Sequence, residues 1–79
     1  KDDVMSELFR LLSLYYACDN TAMVRPLSAA EVADCMAHYS AIKTHFASSD
    51  APRAGYQRFK IWERENTELV VQLREGRFL

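Results

Sequence analysis

Glycine, proline and cysteine are all scarce in this chain, two of each in 79 residues. So few backbone breakers, with 49% hydrophobic and 27% charged residues, exclude a disordered or low-complexity chain and favour long helices around a true core. Long apolar runs are also missing. The longest, Leu8 to Cys18, is interrupted by Arg10 and Ser13, far short of the ~20 residues a membrane-spanning helix needs. Neither sign of charge dominates, since ten Lys+Arg face eleven Asp+Glu for a net charge of −1. That balance argues against a nucleic-acid module, which normally carries a marked positive excess.

Catalytic signatures are absent as well. The sequence holds no Gly-rich phosphate loop, no Gly-x-Ser-x-Gly elbow and no nucleophile visibly paired with a base. We therefore expect a protein that is not an enzyme, with no catalytic residues, no cofactor and no small-molecule substrate. Lys1, Asp2 and Asp3 show neither a positive leader region nor a small-residue cleavage site, so the cytosol is the expected location. Cys18 and Cys35 sit singly in apolar helical patterns and read as two reduced, half-buried thiols rather than a disulfide framework.

What the chain does have is hydrophobic periodicity in three segments, with no repeat and no dividing linker, so residues 1–79 form one domain. The expected fold is an all-α three-helix bundle with helices at about 2–18, 29–48 and 52–74. In the first helix Val4, Met5, Leu8, Phe9, Leu11, Leu12, Tyr15, Tyr16 and Cys18 cover about half the circumference. One core needs a stripe of roughly 100°, so this face can meet more than one surface. The loop expected over 19–27 contains Arg25-Pro26, where the proline ring biases its predecessor away from helical angles.

Ser28-Ala-Ala-Glu31 is a capping box that starts the second helix at Ala29. Its core face reads Val32, Cys35, Met36, Tyr39, Ile42 and Phe46, while Ala30, Ala33, Ala37 and Ala41 form a stripe of small residues on which another helix can approach closely. Ser49 or Asp50 can cap the third helix, with Pro52 in its first turn, Gly55 mildly unfavourable there, and Gly76 as its stop. Phe78 and Leu79 follow it.

A chain of this length buries so little surface that a staple or a second subunit would help it. The wide face of the first helix therefore points to a homodimer, with Met5, Phe9, Leu12 and Tyr16 as the interface. Asn66 lies in the apolar arc of the third helix, where a polar residue can fix register across a subunit seam or simply bond a nearby carbonyl. Glu31, Asp34, His38 and His45 share a polar stripe, but the two histidines are ~10 Å apart along the axis. Cys35 with His38 is half of a zinc site without a second half, so no metal is expected. Arg53, Lys60 and Arg64 share one angular position on the third helix and carry the alternative, a nucleic-acid-binding regulator. The preferred reading is a non-catalytic helical interaction module, binding itself and another protein.

Overall fold

The computed structural model describes residues 3–76, with side chains from residue 6 onward. All regular structure among them is helical, but in four helices rather than three: α1 (Asp3–Val24), α2 (Ala29–Phe46), α3 (Gly55–Glu65) and α4 (Thr67–Arg74). Three boundaries differ from the sequence reading, each for a local reason.

α1 runs six residues past the expected end at Cys18. Asp19 and Asn20 are weak helix formers, yet here both have partners on α4. The Arg74 guanidinium sits 3.1 Å from the Asp19 carboxylate, and the Asn20 amide donates to the Arg74 carbonyl at 2.8 Å. The helix stops only where Pro26 imposes its constraint. α2 begins as expected, with the Ser28 hydroxyl accepting from the Glu31 N–H and the Glu31 carboxylate accepting from the Ser28 N–H.

The expected third helix is broken at Asn66, whose φ of −130° and ψ of 46° leave the helical region. Its side-chain amide donates to the Trp62 carbonyl at 2.9 Å, the local competition with the backbone that makes asparagine a poor interior helix residue. The helix also starts later than expected. Pro52 and Arg53 lie in a turn, and Ala54 stands at the cap position with no side-chain bond.

α1 packs on α2 and α4, and α3 packs on α2 and α4. The core between them consists of Leu8, Leu12, Tyr16, Ile42, Phe59 and Leu73. Phe9, Leu11, Tyr15, Tyr39, Phe46, Trp62, Leu69 and Val70 close around it, half-buried. The small Ser13 is buried too, its hydroxyl without a hydrogen-bond partner among the described residues.

A disulfide joins Cys18 to Cys35 and so ties α1 to α2. This corrects the expectation of two reduced thiols, since neither cysteine is free. The helical hairpin turns at Pro26, eight residues after Cys18, and brings the two side chains face to face. Spacing along the sequence shows the pair only once the end of α1 is known.

Candidate functional site

The residues expected to form an interface on α1 are mostly spent inside the fold. Leu12 and Tyr16 are both 0% exposed, and Phe9 packs half-buried against the core, so the expected surface is corrected to core at these positions. The half-circumference face is wide because α1 meets two helices, α2 and α4, and faces α3 side chains across the core. The Met5 side chain lies outside the described ones, as do residues 77–79 with Phe78 and Leu79.

Tyr16 also carries the main polar contact of the interior. Its hydroxyl donates to the Glu63 carboxylate at 2.5 Å, and Lys60 pairs with the other Glu63 oxygen at 2.7 Å. The Arg74 guanidinium lies over the Tyr16 ring, 4.6 Å from its centroid. Burial and the carboxylate together push the Tyr16 phenol far above its ordinary range, so it remains a neutral donor. This network ties α1 to α3 and α4.

Exposed large apolar side chains lie at the end of α1, where Met23 is 73% and Val24 82% exposed, at Val71 of α4, and around grooves on α2 and α3. Met36 is 63% exposed, Tyr56 51%, and Val32 and Ile61 44% each. A groove of about 180 Å³ lies among Tyr15, Leu27, Val32, Cys35, Met36 and Tyr39, none of them charged. Tyr39 stacks on Tyr15 with centroids 5.4 Å apart, and meets Tyr56 edge-on at 6.5 Å. Two more clefts flank Tyr56. One, of about 670 Å³, holds Lys43 and Arg53 beside the hydroxyls of Ser40, Thr44 and Ser49. The other, of about 480 Å³, is formed by Tyr56, Gln57, Lys60, Ile61 and Arg64. Together the three clefts make one belt centred on Tyr39 and Tyr56.

Charge is unevenly distributed around this belt. Lys43, Arg53, Lys60 and Arg64 all border it, and no carboxylate lines any of the three clefts. The Lys43 ammonium stands 4.6 Å from the Tyr39 ring centroid. Lys60 is shared with Glu63, which raises its pKa, while no described carboxylate forms an ion pair with Lys43, Arg53 or Arg64. The expected stripe of Arg53, Lys60 and Arg64 is thus divided, with Lys60 and Arg64 in one cleft and Arg53 in the other.

The acidic residues of α2 face the opposite flank of the α1–α2 seam. There Glu31, Asp34 and His38 border a separate groove beside the disulfide. Among the described residues no three His, Cys, Asp or Glu side chains stand together as metal ligands, and Cys35 is consumed by its bridge. Glu31 is held by Arg25, with 2.6 Å between Nη2 and Oε2. That bond and the Ser28 N–H lower its carboxyl pKa to about 2.

Comparison of the chain with family models, with curated proteins and with solved structures finds no match. No described helix is long and apolar enough to cross a membrane.

Proposed function

We propose that the protein is a non-catalytic helical module that binds another protein through the belt on α2 and α3. One observation carries this reading. A chain this small leaves Val32, Met36, Tyr56 and Ile61 all more than 40% exposed, around grooves joined by the Tyr39–Tyr56 contact. Large apolar side chains gathered around grooves, with a charged rim, are the mark of a docking surface. Scattered singly, the same residues would need no explanation.

The proposed partner surface differs from the one expected on α1, where Leu12 and Tyr16 build the core and Phe9 packs against it. A helical module held by a disulfide belongs in an oxidising compartment, because reducing conditions would open the bridge. We therefore set the module there rather than in the cytosol.

Selection from a displayed peptide library tests the reading, with the Met36→Glu variant as counter-target. Peptides that bind the wild type, carry apolar residues at helical spacing and lose the variant are the expected result. No enrichment, or binders indifferent to Met36→Glu, would overturn it, provided the variant keeps the helical spectrum and cooperative melt of the parent.

A further inference from the structure

We propose that the belt takes an acidic amphipathic segment of another protein, with apolar residues at helical spacing and carboxylates beside them. The inference rests on the reading that the belt docks protein, and it adds the partner's chemistry. Val32, Met36 and Tyr39 follow one another at four- and three-residue spacing on α2 and present a ridge that an apolar helical stripe can meet. The rim supplies the choice of charge. Lys43 and Arg53 stand on one side of Tyr56, Lys60 and Arg64 on the other, in a chain whose acids outnumber its bases.

A second copy is a poor occupant of this face. In a two-fold contact each patch meets itself, so the four cations of one subunit would approach the four of the other. Nucleic acid suits the cations but leaves Val32, Met36 and Ile61 without a use. A carboxylate-bearing apolar segment uses both halves of the belt. Electrostatic complementarity of this kind selects partners and accelerates encounter more than it adds affinity.

Three synthetic peptides test it, identical in length and in a Leu/Trp stripe, with Glu, Gln or Lys at the polar positions. Fluorescence anisotropy against the oxidised full chain should rank them Glu, then Gln, then Lys, with about tenfold between the first two, as two or three rim pairs imply. Raising NaCl from about 50 to about 500 mM should erase most of that advantage. So should the variant K43Q/R53Q/R64Q, whose fold is checked by its melt, and the salt series decides the question even if that variant fails to fold. Equal affinity for all three peptides would overturn the charge preference and leave protein docking standing. No binding of any of them would fell both. An oligonucleotide of matched charge that binds more tightly than the Glu peptide overturns the proposal in favour of nucleic acid. A dimer by light scattering that Met36→Glu dissociates overturns it in favour of a second copy.

Discussion

Replacing Gly55 by alanine separates what the sequence says about this position from what the packing says. On propensity alone the change is favourable, since alanine exceeds glycine in a helix interior by up to ~1 kcal/mol, and the gain is smaller at the first residue of α3. The structure reverses the sign. A Cβ at Gly55 would lie 2.2 Å from the Lys43 carbonyl oxygen and 2.9 Å from its carbon. That carbonyl is backbone in the last turn of α2, and it accepts the Ala47 N–H at 3.0 Å, so no rotamer change moves it away. To reach the 3.4 Å of ordinary contact from 2.2 Å, the two helices must part by about 1 Å, against a core in which Phe59 is fully buried. Overpacking of this kind costs roughly 1–3 kcal/mol, and here it meets an unyielding atom. Gly55→Ala is therefore expected to lose about 2 kcal/mol net, and at 4–8 °C per kcal/mol for a domain of this size the Tm should fall by roughly 8–16 °C. Thermal and urea melts followed by circular dichroism measure it. A variant as stable as the parent, or more so, would refute the close approach of α2 and α3 on which the shape of the belt depends.

Ser13→Ala should act in the opposite direction, gaining about 1 kcal/mol in urea titrations, because it removes a buried hydroxyl without a partner and improves helix propensity; a loss of stability would show that the hydroxyl is bonded. The native protein should titrate no thiols, and Cys18→Ser/Cys35→Ser should cost about 3 kcal/mol, the loop-closure value for a bridge of this span, 17 residues; two reactive thiols without denaturant would contradict the bridge. Glu31 has its folded pKa depressed from 4.5 to about 2, so the stability it contributes is complete above about 4.5 and disappears as pH falls through about 2. Melts in that window should show a steeper acid decline for the wild type than for Glu31→Gln, and parallel declines would place the Arg25 contact outside the energetics of folding.

The helical class and the start of α2 were legible because they depend on local chemistry. The capping box at Ser28–Glu31 needs only residues three apart, and its bonds form as the spacing predicts. The end of α1 and the break at Asn66 were not legible. Asp19 and Asn20 read as breakers until Arg74, more than fifty residues later, supplies a carbonyl and a guanidinium. Asn66 lies at a periodic apolar position, and periodicity says nothing of a side-chain amide that bonds Trp62 and ends the helix. The expected core face of α2 was right for Ile42, yet it included Val32 and Met36. Both lie toward one edge of that arc, beyond the reach of α1 and α3, and helical spacing alone does not say how far a neighbour extends.

The same limit explains why the interface expected on α1 included residues that build the core. A broad apolar face on a short chain is ambiguous between a second subunit and several intramolecular neighbours, and the count of neighbours settles it. α2 and α4, with α3 side chains across the core, use Leu12 and Tyr16 completely. The disulfide supplies the staple that the sequence argument for a dimer took to be missing, because a covalent link that restricts the unfolded chain offsets a small core. Cys35 borders both the belt groove and the acidic groove on the other flank, so the staple also fixes the wall that separates them. Met36, 63% exposed, lies outside the core. Met36→Glu should leave the melt nearly unchanged while abolishing peptide binding, whereas a large loss of stability in that variant would mean that the belt is part of the fold and not a surface held for a partner.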